Sequence, residues 1–98
     1  MTRDEALNRL RPLESRLRSQ GVDALYLFGS TARDEGRMDS DLDLMCELDR
    51  TRSFSLFDIA RIQINLEDEF GRKVDLVERD ALRPRVRKRV EADSIRVF

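Results

Sequence analysis

Histidine is absent from all 98 residues, and that excludes His-based triads, phosphohistidine chemistry and histidine metal ligands together. Any general base must then be a carboxylate, and any metal site must be built mainly from oxygen and be hard in character. A single cysteine, Cys46, forbids an internal disulfide and fits a reducing cytoplasm, the expected location. It lies in an apolar run, which predicts a small core residue. No signal peptide is recognisable and no apolar run is long enough to cross a bilayer, so no membrane partner is expected. Neither sign of charge dominates: 20 acids face 19 bases, for a net charge of −1. With so little net charge, no basic motif and few aromatics, a nucleic-acid-binding module finds little support, and no direct nucleic acid binding is expected. Lysine occurs only at Lys73 and Lys88, and every other base is arginine. That bias suits bidentate contact with phosphate, and equally a genome rich in arginine codons.

The length supports one hydrophobic core, so residues 1–98 are read as one domain. One core leaves no room for a second domain, so if the chain is an enzyme, part of its substrate-binding surface is expected to come from another molecule. Thr2 and Glu5 read as a capping box opening a helix of Ala6, Leu7, Leu10, Leu13 and Leu17, bent or split at Pro12 and ended near Gln20-Gly21. Val22–Phe28 reads as a buried strand, with a short helix opening at Ser30 after Gly29. After a polar loop, Asp34–Ser40, the run Asp41–Glu47 returns as a strand. Ser55–Phe70 reads as an amphipathic helix with Leu56, Ile59, Ala60, Leu66 and Phe70 in one stripe, capped by Gly71. Lys73–Val77 reads as a third strand. Asp80 is expected to cap a last helix carrying Leu82, Val86 and Val90, and Ile95–Phe98 to form a short edge strand. The order α-β-α-β-α-β-α-β makes this an α+β or α/β domain, expected as a small mixed sheet packed by helices.

Three features carry chemistry. Gly29-Ser30 ends a buried strand and opens a helix, where a glycine permits close backbone approach and a helix start offers N–H groups to an anion. The pair is equally a glycine turn with a capping serine, and no P-loop motif is present. Asp41 and Asp43 share one face of a strand by the period of two, as two carboxylates that hold divalent cations in phosphoryl chemistry do. A solvated strand face is the alternative. Asp75 stands between Val74 and Leu76, although aspartate is a poor strand former. It joins the first two carboxylates if its strand lies beside theirs, or else pairs with Arg72 or Lys73 at an edge.

Gly29-Ser30, ten residues, then Asp41-Leu42-Asp43 matches the G-S-x10-D-x-D signature of the DNA polymerase β-like nucleotidyltransferase superfamily. The string LFGSTARDEGRMDSDLDL resembles its minimal nucleotidyltransferase (MNT) branch, KVDLV supplies the third carboxylate, and ALRPRVRKRV is similar to the closing helix. The resemblance covers essentially the whole chain. It departs at Asp34, where many members have glycine.

The resemblance implies that Gly29 and Ser30 hold the β- and γ-phosphates of ATP, and that Asp41 and Asp43 bind two magnesium ions. Asp75 would complete the catalytic metal site and help activate the acceptor hydroxyl. Arg33 is a candidate contact to phosphate or partner, or else an ion-pair partner of Asp34 or Glu35. Small members are often antitoxins that silence a HEPN-domain toxin by adding AMP to a tyrosine, which implies a hetero-oligomer with the toxin or a homo-oligomer. Two alternatives remain: a binding-only antitoxin or subunit with a vestigial nucleotide site, and a nucleotidyltransferase acting on a small-molecule hydroxyl.

Overall fold

Alternation of side chains decides the architecture. Leu25 and Leu27 of Val22–Phe28 (β1), Leu42, Leu44 and Cys46 of Leu42–Leu48 (β2), and Val74 and Leu76 of Val74–Glu78 (β3) enter one core. Asp43 and Asp75 occupy the intervening phase and lie on the opposite face. The computed structural model, which describes residues 1–37 and 40–98, joins these strands to Ile95–Arg96 (β4) in the order β3-β2-β1-β4. β1 runs antiparallel to β2 and β4, and β2 runs parallel to β3. The sheet is therefore mixed, as expected, with β2 in its interior. Of the polar loop Asp34–Ser40, Met38 and Asp39 lie outside the described residues.

Helices cover the apolar face. Thr2 caps Arg3–Leu10 (α1), its hydroxyl accepting the Glu5 N–H at 3.1 Å. Pro12 splits the first helical segment: a 3-10 turn, Arg11–Leu13, separates α1 from Glu14–Ser19 (α2). Gly21 follows with φ +100°, in the left-handed region that ends helices. The short helix Gly29–Ala32 (α3) continues directly from β1. Leu56–Phe70 (α4) starts with a full capping box between Ser55 and Asp58 and ends at Gly71, φ +64°. Pro84–Asp93 (α5) packs against α3 and β1. On the carboxylate-bearing face Ala24 and Met45 are buried, although they lie outside the main core.

Several boundaries and faces differ from the expectations. β2 starts at Leu42, so Asp41 precedes the strand, and β3 starts at Val74. The buried stripe of α4 is Ile62, Leu66 and Phe70, spaced by four, with Ile59 packed against it. Ala60 is exposed, and Leu56 (84 % exposed) lies with Phe57 (82 %) and Ile64 on an uncovered face. Asp80 does not cap α5. It sits in a 3-10 turn, Arg79–Ala81, and pairs with Arg50 at 2.7 Å. Pro84 takes the first helical position instead, where its missing N–H costs nothing, and it holds Arg83 extended at ψ 147° as the cap. Leu82 precedes α5, no residue of which is buried, so the expected apolar line through Leu82, Val86 and Val90 is reduced to two valines that are only half covered.

Candidate active site

Asp43 stands near one end of the sheet, on the face opposite the main core. Its register partners are Phe28 on β1 and Asp75 on β3, so two aspartates face each other across adjacent parallel strands. Gly29 follows Phe28 directly, at φ +76°, and a β-carbon there would run into the Asp43 carboxylate. Glycine is thus required twice over, by conformation and by space. From this contact the chain turns into α3, whose first N–H groups have no acceptor within the helix, and Ser30 is half-buried beside it. Asp41 is exposed, two residues before Asp43. The approach to it is tied to the start of β3: Leu42 N–H donates to the Lys73 carbonyl at 2.9 Å, and the Arg72 guanidinium donates to the Ser40 carbonyl at 3.3 Å. Arg72 therefore reaches back across the loop instead of pairing with Asp75.

Electrostatics link these groups. The Asp43 carboxyl is held above its ordinary value of 3.8, first by burial and then by the negative charges of Asp75 and Asp41, with Arg33 opposing. Like charges on directly opposed strand positions repel, and nothing among the described residues neutralises them fully. Among those residues no three carboxylate or thiol groups are already gathered to hold a metal ion. The donor set nevertheless suits magnesium: it consists of hard oxygens with a half-buried member of raised pKa, whose charge a divalent cation would balance.

The remaining candidates divide. Arg33 pairs with Glu35 at 3.2 Å and with Asp93, the last residue of α5, at 2.9 Å. It thereby fastens the end of α3 to α5, and the pair with Asp93 is one that local spacing cannot reveal. Asp34 has φ +61°, a left-handed conformation that explains glycine at this position and that aspartate tolerates. Its carboxylate accepts the Arg3 N–H at 2.9 Å, so its charge is directed at the start of α1. Thr31, only 1 % exposed, has a hydroxyl without a partner among the described residues, and its burial had no sequence signal apart from the neighbouring Gly-Ser pair. Cys46 is a buried core residue whose thiol is pushed up to about 12 by burial and by Glu78, so it stays protonated and inert.

A cavity of about 340 Å³ between Gln20, Arg52, Phe54, Asp58 and Arg61, and smaller ones of about 300 and 240 Å³, touch none of Gly29, Ser30, Asp41, Asp43 or Asp75. No described helix is long and apolar enough to cross a membrane.

Residues 10–97 match the nucleotidyltransferase domain family. Methanocaldococcus jannaschii protein MJ0435, named provisionally as a protein adenylyltransferase, is 30% identical over 82 residues, covering 84% of this chain and 86% of its own. MJ1379 of the same organism, with the same provisional name, is 38% identical over 77 residues, covering 78% and 77%. A solved structure described as a minimal nucleotidyltransferase superposes with a TM-score of 0.81 at 36% identity, over 97% of this chain and 95% of the other. A chain from the complex of tri-AMPylated Shewanella oneidensis HEPN toxin with MNT antitoxin shares the fold at a TM-score of 0.70 and 17% identity, over 99% and 72%. With a domain match over nearly the whole length and an MNT fold around a glycine-backed aspartate, the chain belongs to the nucleotidyltransferase domain family, as an MNT-type nucleotidyltransferase.

Proposed function

We propose that the chain transfers AMP from ATP to a hydroxyl of a partner protein, a tyrosine of a HEPN-domain toxin, and thereby acts as its antitoxin. The observation that carries the reading is the opposition of Asp43 and Asp75 on neighbouring strands, with Gly29 against the Asp43 carboxylate. The names of the curated relatives and the HEPN complex among the structural relatives support AMP and a protein acceptor over a small molecule.

The Gly29-Ser30 turn receives the β- and γ-phosphates, with backbone N–H groups and the serine hydroxyl as donors. The acceptor oxygen attacks the α-phosphorus, the bond from that phosphorus to the oxygen bridging to the β-phosphate breaks, and pyrophosphate leaves. Asp75, exposed on the edge strand β3, takes the acceptor's proton. Asp43, half-buried, keeps its place under Gly29 and fixes the geometry. Asp41, Asp43 and Asp75 would hold magnesium, which supplies positive charge to the phosphates and to the developing negative charge of the reaction.

The test is mass spectrometry of the HEPN partner after incubation with this protein, ATP and magnesium. The expected result is a gain of one or more AMP units on tyrosine, lost when Asp43→Asn replaces the wild type. A partner that is bound and neutralised by both proteins without any gain in mass would replace transfer by binding alone.

A further inference from the structure

α5 carries its charges against its own dipole. A helix is favoured by acids in its first turn and bases in its last. Here Arg83 caps the N-terminus and Arg85 lies in the first turn, while Glu91 and Asp93 lie in the last. Residues 83–89 hold five bases, Arg83, Arg85, Arg87, Lys88 and Arg89, and no acid, so the rest of the chain has fourteen bases against twenty acids. Along the helix Arg85 repels Lys88 and Arg89 three and four positions on, costing a few tenths of a kcal/mol per pair. None of the five makes an ion pair among the described residues. The acids at the other end are paired inward, Glu91 with Arg79 at 2.7 Å and Asp93 with Arg33 at 2.9 Å.

An uncompensated arrangement of this kind works against the helix and has no role in the core, since no residue of α5 is buried. By helical geometry Arg85, Lys88 and Arg89 form one outward stripe, and all three are exposed. The stripe leads toward the site, because Asp93, one turn beyond Arg89, is fastened through Arg33 to α3, and α3 begins at Gly29.

We infer that the outer face of α5 is a docking surface for an acidic patch on the acceptor protein, which it steers and orients toward the carboxylates. This rests on the reading that the acceptor is a protein. An acidic protein surface suits the stripe better than nucleic acid, because no aromatic side chain lies within α5 to stack on bases, and the rest of the chain is net acidic and would repel an extended phosphate backbone. Charges of this kind act chiefly on the association rate and on its salt dependence.

The experiment compares the whole wild-type chain with Arg85→Glu/Lys88→Glu, and with Arg3→Glu on α1 combined with Arg11→Glu in the 3-10 turn, a control that lowers the net charge equally. Association with the HEPN partner, with poly-L-glutamate and with a single-stranded RNA is measured at low and high salt. A version with glutamine at all three α5 positions, checked by circular dichroism, separates lost charge from lost fold. The α5 variants are expected to bind the partner and poly-L-glutamate at least about tenfold more weakly at low salt, with the difference shrinking at high salt and the control unaffected. Equal binding by the folded α5 variants overturns the proposal, as does RNA binding tighter than either acidic probe, or no acidic probe bound by the wild type. If poly-L-glutamate binding is lost in the variants but the HEPN partner is not bound by any version, the surface stands and the toxin falls as the partner.

Discussion

At the scale of single residues, two glycines separate conformation from space. Gly29 and Gly71 both have positive φ, but a β-carbon at Gly71 meets nothing within 4 Å, while at Gly29 it meets the Asp43 carboxylate. Gly71→Ala is expected to cost about 1 kcal/mol in denaturant unfolding, the left-handed penalty alone. Gly29→Ala should cost more, and nucleotide transfer should fall sharply because the Asp43 carboxylate must move. Equal losses at the two positions would refute the contact. Asp43→Asn is expected to lower transfer by about two to three orders of magnitude, ~3–4 kcal/mol, in labelled-ATP kinetics. Without metal the same change should stabilise the fold at neutral pH, since it removes the half-buried carboxylate of raised pKa. The sign follows from linkage. A group whose folded pKa is raised destabilises the fold when ionised, and that cost disappears as the pH falls through its folded pKa toward 3.8. The melting-temperature gap between Asp43→Asn and wild type should therefore close on acidification in the presence of a chelator.

At the scale of elements, α4 is the longest helix among the described elements and the best capped. Ser55 accepts the Asp58 N–H while Asp58 accepts the Ser55 N–H, and Gly71 closes the other end. Ser55→Ala should cost about 1 kcal/mol in urea unfolding, with transfer unchanged, because the buried side of α4 joins the main core, on the face of the sheet opposite Asp43 and Asp75. β2 matters differently: as an interior strand it places Asp43 between two neighbours, where a one-residue slip would turn Asp43 into the core. Period-two alternation was enough to read β1, β2 and β3 to within a residue at either end, because each buries Leu or Val on one face. The stripe of α4 and the start of α5 were misread. Leu56 and Ala60 fit a helical period but fall outside the arc that Ile62, Leu66 and Phe70 present to the sheet, and the extended Arg83 before Pro84 displaced the expected cap.

At the scale of the whole molecule, the negative charge gathered around Asp43 is opposed by Arg33. A cation bound only by the native site must raise stability by mass action, about 2.7 kcal/mol at a hundred times its dissociation constant. Thermal melts with ATP should therefore shift upward on adding magnesium, and the shift should shrink in Asp41→Asn. No shift in the wild type, or an equal shift in the variant, would remove Asp41 from the set.

Read alone, the sequence determined the strands, the phase of Asp43 and Asp75 and the hard, histidine-free character of the candidate site. These are local properties, set by alternation, by backbone conformation and by side-chain chemistry over a few residues. Only the tertiary structure decided that β3 lies beside β2, which brings Asp75 opposite Asp43 across 32 residues of chain. It also decided that Asp34 turns its charge to the Arg3 N–H, that Arg72 holds the Ser40 carbonyl, and that Arg33 reaches Asp93. Those contacts join residues 31 to 60 positions apart. Such a distance along the chain is closed by the burial of apolar faces against one another, and no local pattern records which polar groups that closure brings together.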